Sequence, residues 1–438
     1  MKISRAGRQI HAAGPHFFRS DIVAPTPKPW GRRPPNLLVL GASGHVSQAF
    51  LRRLGGRREQ LGSLVLLDRN DQVVYNRFLD HGRLRYRFIQ KSLRIEQDKS
   101  AYVRLLKRHK IDIVLDLTDM DTLPVFNATD AAGVAYINTA LNDAGTGVHQ
   151  MVAAIHPTRQ KPHRAPHIIS SGMNPGAVNT WVMHGARHYG VPRDVTHFEF
   201  DTSMAVGGWR PLITWSRREF LTETVWEPTG LVENGKVRLF QTNGLQNRHS
   251  LRSIMEPVVK LASYPKAYLV LHEENIKLGQ LLGTSSRYLY AIHPRTMEYM
   301  AQLWEKNRTV RIGDLQMGDN TSIPLEGSDT IGVCLEYPRQ RVYYLHSMRN
   351  DAVVGANATC AQVAVGVYAA LLTMLNELLR PRVYFSTELY DTIYPHVLFS
   401  NLRVEHFVCG LQQGRWVVRK HIPELHPRQP GRPHQPVI

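Results

Sequence analysis

The stretch "NLLVLGASGHVSQAF", residues 36–50, decides the fold. Asn36 to Leu40 is a short apolar run, Gly41-Ala42-Ser43-Gly44 is a turn of small residues, and His45 to Phe50 opens a helical pattern. Strand, tight turn and helix in that order make the first unit of a Rossmann-type sheet, whose turn cradles a pyrophosphate. Gly41 permits the turn, and Gly44 lets backbone approach a phosphate with no Cβ in the way. Ser47 stands where a third glycine is usual, so the pattern is the variant GxxGxxS. Ser43, His45 and Val46 belong to the same phosphate-facing turn. Asp68 ends the next apolar run, "SLVLLD", where a carboxylate accepts hydrogen bonds from a ribose diol and disfavours a 2′-phosphate. NAD is therefore expected over NADP, with Arg69 as the neighbour that pulls the other way.

Working outward, the alternation continues. "YVRLLKRHK" (Tyr102 to Lys110) reads as an amphipathic helix, and "IDIVLDLT" (Ile111 to Thr118) and "VAYINTA" (Val134 to Ala140) as strands. Alternating apolar strands and helices predict an α/β fold with a doubly wound parallel sheet. Thr118 and Thr139, near the carboxyl ends of those strands, are expected at the cofactor, because ligands bind outside that edge of such sheets. After about residue 155 the texture changes. "HFEFDTSM" and "KAYLVLHEENIKL" alternate like half-buried antiparallel strands, as in an inserted α+β catalytic domain. Ala356 to Leu379 reads as one long apolar helix returning to the first domain. The expected organisation is a basic, proline-containing extension over 1–35, a dinucleotide-binding domain over 36–155 and a substrate domain over 156–355. A C-terminal helix and return follow over 356–425, with a disordered tail over 426–438.

Composition narrows the function classes. The chain has 438 residues, 54 Lys and Arg against 36 Asp and Glu, and a formal net charge of +18. Such a balance raises nucleic-acid binding as a reading from another class, with the Gly-rich turn as a mere nucleotide sensor. The basic residues are spread along the chain, however, and no zinc finger, RNP motif or basic zipper accompanies them, which argues against that partner. No apolar run approaches the roughly 18 residues of a membrane span, and the start of the chain has no secretory h-region. Cys334, Cys360 and Cys409 are isolated thiols, in keeping with a reducing cytoplasm. No HExxH or CxxC supplies a metal site, and no metal is expected.

Three further motifs carry chemistry. "SSGMNPGAVN" (170–179) puts Asn174 at the end of the strand "HIIS" and the start of the helix Val178 to Tyr189, a common place for substrate or nicotinamide contact. "TWS" (214–216) offers Trp215, and Glu223 follows. In "LVLHEENIKLGQ", period-two alternation predicts that His272 and Glu274 share one strand face, with Glu273 and Asn275 on the other.

Together with "YLYAIHP" (288–294), "GSDTIGVCL" (327–335) and "NATCAQV" (357–363), these motifs follow one another as in a known family. From about Asn36 to Leu402 the chain resembles bacterial homospermidine synthases, among the saccharopine-dehydrogenase-like oxidoreductases. The resemblance implies a Rossmann domain binding NAD, completed by the C-terminal helix, and a catalytic insertion. It also implies a small-molecule amine substrate and a homodimer. The implied reaction has no net redox change: a diamine gives up a hydride to become an imine, a second diamine displaces ammonia, and the hydride returns. Asn174, Trp215, Glu223, His272 and Glu274 are the implied active-site residues. Glu223 and Glu274 would bind amine, His272 would move a proton or orient Glu274, and Trp215 would offer an aromatic face. The chain departs from the family at Arg217 and Arg218, which suit a carboxylate, and at Glu388 and Asp391, which partly replace an acidic run. A saccharopine-dehydrogenase-like reductive aminase, joining an amine to an oxo acid at the expense of NAD(P)H, is the nearest alternative.

Overall fold

The computed structural model describes residues 30–31, 33–55, 60–143, 145–155, 162–319 and 323–425. Most of the expected extension over 1–35, and the tail over 426–438, lie outside them. The first sheet is wholly parallel. Its strands are β1 (Leu37–Leu40), β2 (Leu64–Asp68), β3 (Arg87–Gln90), β4 (Ile113–Asp116), β5 (Ala135–Asn138) and β6 (His167–Ile169). They lie in the order β3-β2-β1-β4-β5-β6, and a seventh strand, Val383–Phe385, closes the far edge beside β6. This is a doubly wound Rossmann order, and the sheet is parallel as the alternation of strands and helices predicts. β1, β2, β4 and β5 are buried from end to end, as strands covered by helices on both faces must be.

The register fixes the site edge. Leu40 pairs with Leu67 and with Asp116, so Gly41, Asp68 and Leu117 emerge at one level from three adjacent strands. The sheet extends past the segment 36–155. It takes in β6 and, from near the C-terminus, Val383–Phe385, paired in register with His167 to Ile169. The long helix Ala358–Asn376 packs on the first helix, His45–Leu54, within one core that includes Phe50, Leu51, Val365 and Ala369. Against the expectation that no apolar run approaches span length, this is, among the described residues, the one helix long and apolar enough to cross a membrane, with a mean hydropathy of 1.7, and it is the buried core helix. Its packing is close enough to need glycine: a Cβ on Gly366 would lie 1.9 Å from the Gly172 carbonyl oxygen.

The second sheet has ten strands. At its centre Asp194–Asp201 lies between Ser285–Ala291 and Ser328–Glu336, followed by Gln340–Arg349, Glu405–Gln412 and Arg415–Ile422. It is mixed rather than antiparallel throughout, because Asp194–Asp201 and Ser285–Ala291 run parallel. One sequence expectation fails here. The strand in "KAYLVLHEENIKL" stops at Val270, and a helix runs over Glu273–Leu282 with His272 as its N-cap residue. Two carboxylates in the first turn favour that helix start, since they face the positive end of its dipole. His272 and Glu274 therefore do not share a strand face, and Glu273 does not point away from them.

Candidate active site

A cleft of about 670 Å³ opens at the carboxyl edge of the first sheet and runs to the second. At one end lie the Gly41–Gly44 turn and the first helical residues, His45 and Val46. Gly41 has φ +73°, and a Cβ there would meet the Leu117 carbonyl oxygen at 2.6 Å, so the position is held by glycine twice over. Ser47, in place of the third glycine, donates its hydroxyl to the Gly41 carbonyl at 2.6 Å and ties the helix to the turn. The first amides of the helix His45–Leu54 have no intrahelical acceptor, and Gly44, His45 and Val46 line the cleft, which suits a pyrophosphate. Asp68 is buried behind the turn. Its oxygens accept from the Ser43 amide at 2.9 Å and the Asn70 amide at 3.1 Å, and each keeps a lone pair for a ribose hydroxyl. Arg69 and Lys91 stand on the same rim. Thr118 and Thr139 line the floor, Thr118 held by the Asp116 carboxylate at 2.7 Å. Asp68→Ala should weaken dinucleotide binding by about 1.5–3 kcal/mol for each charge-assisted hydrogen bond lost. Titration showing unchanged affinity would confine Asp68 to holding the turn.

The opposite end collects the other predicted residues. Asn174 leaves β6 and donates to Glu199 Oε2 at 3.2 Å. Trp215 precedes the short helix Arg217–Leu221, capped by Ser216, and its indole donates to the Tyr290 hydroxyl at 2.9 Å. Glu223 sits in a single π-helical turn, Thr222–Trp226, of the kind often found at functional sites. Asn174, Trp215, Glu223 and His272 all line the cleft. Glu274 does not. It lies fully buried behind His272, with Oε2 2.8 Å from His272 Nδ1 and, among the described residues, Oε1 without a hydrogen-bond partner.

His272 is clamped on both sides. Nε2 faces Glu223 Oε1 at 3.1 Å, and Nδ1 faces Glu274 and also Glu273 Oε2, at 2.9 Å. Both ring nitrogens thus confront acceptors. Burial by itself lowers the histidine pKa, but Glu274, Glu223 and Glu273 outweigh it and hold the ring well above its usual value, as an imidazolium. Burial pushes Glu274 up, whereas Glu273, opposed by the same burial, is held down by His272 and the Leu141 amide. Glu273 also anchors the first sheet, accepting from the Leu141 amide at 2.9 Å and the Ser170 hydroxyl at 3.1 Å.

Sequence reading missed Glu199. On the strand Asp194–Asp201 it shares a buried face with His197 and Asp201 and lines the cleft. Tyr288 donates to it at 2.7 Å. Burial, opposed by the Tyr288 and Asn174 hydrogen bonds, pushes its pKa up to about 7. The signal was the alternation in "HFEFD", which puts His, Glu and Asp together on one face of an otherwise apolar strand. Arg217 and Arg218 both line the cleft, and Arg217 donates to the Leu315 carbonyl at 2.9 Å. Glu388 and Asp391 do not reach it: Glu388 pairs with Arg382, and Asp391 with Arg187. Among the described residues two groups bring acids and histidines within 4.8 Å, His272 with Glu273 and Glu274, and Asp130 with His163 and His167.

Comparison with known proteins gives the following. Residues 37–167 match the family described as the saccharopine dehydrogenase NADP binding domain. No curated protein matches the chain in sequence. Among solved structures, the homospermidine synthase of Legionella pneumophila, determined in complex with NAD, superposes with a TM-score of 0.67 at 15% identity. That alignment covers 85% of this chain and 91% of that one. Saccharopine dehydrogenase (L-Glu forming) from Saccharomyces cerevisiae gives 0.56 at 11% identity, covering 85% and 99%. The chain thus shares the fold of these two structures, a Rossmann sheet with a second sheet domain.

Proposed function

We propose that this chain is a nicotinamide-dinucleotide-dependent oxidoreductase that converts a primary diamine through an imine. Within one turnover the cofactor is used and regenerated. The observation that supports this best is the inner end of the cleft. In a chain of net charge +18, it is lined by Glu199, Glu223, Trp215 and the carboxamide of Asn174, a setting for an organic cation. The segment Gly41–Val46, Asp68, Thr118 and Thr139 would hold the dinucleotide, with Asp68 favouring NAD and Arg69 the group that would accept a 2′-phosphate. Bound, the cofactor supplies the hydride acceptor and donor. Glu199 and Glu223 pair with ammonium, Trp215 packs on the alkyl chain, and His272 keeps Glu223 in place from behind.

Putrescine with a catalytic amount of NAD is expected to give homospermidine and ammonia, read by product mass and by the absence of net NADH. Product that forms only with an oxo acid and stoichiometric NADH or NADPH would transfer the assignment to a reductive aminase. Arg217 and Arg218 on the cleft wall favour that second reading.

A further inference from the structure

Asp201 and Asp329 stand directly opposite each other in the antiparallel pairing of Asp194–Asp201 with Ser328–Glu336. Both are buried. Like charges facing across neighbouring strands repel, and a buried carboxylate without a cation is costly. Among the described residues neither aspartate accepts from a lysine or arginine. Asp201 Oδ1 accepts from the Ser203 amide at 2.8 Å, and Asp329 Oδ2 accepts from Gln362 at 3.0 Å.

Two hydroxyls bridge the pair. Thr214 Oγ1 is 2.6 Å from Asp201 Oδ2, Thr359 Oγ1 is 2.9 Å from Asp329 Oδ2, and the two threonine oxygens are 3.0 Å apart. These are three O···O hydrogen bonds in a row. The threonines bring two protons, and ionised carboxylates bring none. With both aspartates ionised, each threonine donates outward, and the two hydroxyl oxygens meet lone pair to lone pair at 3.0 Å. A third proton removes that conflict.

We propose that Asp201, Thr214, Thr359 and Asp329 form a hydrogen-bonded chain that stores one exchangeable proton beside the cleft. With the proton on Asp201, every link has one donor: Asp201 to Thr214, Thr214 to Thr359, Thr359 to Asp329. A concerted shift breaks the O–H bond on Asp201 and forms one on Thr214. The Thr214 proton passes to Thr359 and the Thr359 proton to Asp329. Net charge is unchanged. Burial, reinforced by Glu199 and Asp201, holds Asp329 well above the carboxylate range, and burial also raises Asp201 despite the Ser203 and Thr214 hydrogen bonds and the nearby His293. Thr359 lines the cleft, with Tyr290 and Cys360 beside it, and Glu199 lies two residues from Asp201 on the same strand face.

Infrared spectroscopy of the full-length protein tests this without substrate or cofactor, and so stands or falls apart from the amine reading. At about pH 9, above the value near 7 of Glu199, ordinary carboxyls are ionised. The wild type should show the carbonyl band of one protonated carboxylic acid, shifted in D2O. Asp201→Asn and Asp329→Asn should each abolish it, because the new amide N–H supplies the missing donor and the remaining aspartate ionises. Both variants should fold for the same reason. Glu199→Gln should retain the band. A wild type without the band, or a band that survives in both asparagine variants, overturns the proposal.

Discussion

Glu274→Gln is expected to bind NAD as the wild type does and to lose most turnover, and, because it leaves one half of a buried charge pair unmatched, to lower unfolding free energy by about 3–5 kcal/mol. Glu274 never touches the cleft; it acts through His272, whose Nδ1 it holds at 2.8 Å. Glutamine keeps the shape and the acceptor but removes a charge that keeps the ring protonated. The histidine pKa should then fall toward its ordinary range, so the variant's residual activity should decline as pH rises through that lowered value, where the wild type shows no such decline. Steady-state rates across pH check this, and an unshifted profile with normal turnover would make Glu274 structural. Glu273→Gln, on the adjacent residue, is not silent either. It holds Leu141, Ser170 and His272 together, and its loss should lower unfolding free energy by about 3–5 kcal/mol in denaturant titration.

Glu199→Gln should cost about 10²–10⁴-fold in turnover if this carboxylate takes the substrate proton. Its folded pKa is raised to about 7, mainly by burial, so the group is neutral below that value and an anion above it. A base is active in its ionised form, and wild-type kcat/KM should therefore rise with pH through about 7. The glutamine variant should lack that rising limb. If the limb persists there, the titrating group is another. Glu219, also on the cleft wall and pushed up to about 7 by burial and by Glu223, is the one to replace next.

Much of this geometry was legible in the residues. The nucleotide turn is local: strand, Gly41, Gly44 and helix are contiguous, and the parallel order follows from alternation. The Asn174 loop and the long apolar helix are also read within single segments. What could not be read depends on long-range packing. "KAYLVLHEENIKL" has the alternation of a strand, yet Glu273 and Glu274 start a helix there: both carboxylates meet the adjoining imidazolium, and Glu273 also meets the Leu141 amide and the Ser170 hydroxyl from elsewhere in the chain. Glu199 was hidden because a polar residue in a strand ordinarily faces water. Here the other sheet domain covers that face, and only the fold makes the carboxylate a cleft residue.

The Rossmann sheet is also built from two ends of the chain. β1–β6 come first, but the edge strand Val383–Phe385 and the helix Ala358–Asn376, seated on Gly172, arrive only after the whole second sheet domain but its last two strands. On a ribosome, the phosphate turn and its ribose carboxylate leave the tunnel early, while the surfaces that cover their sheet are still unsynthesised. The nascent chain therefore waits with β6 and the Asn174 loop uncovered while residues 175–357 are made, and a transcript cut short within the second domain yields a polypeptide that has the fingerprint without a finished cofactor cleft.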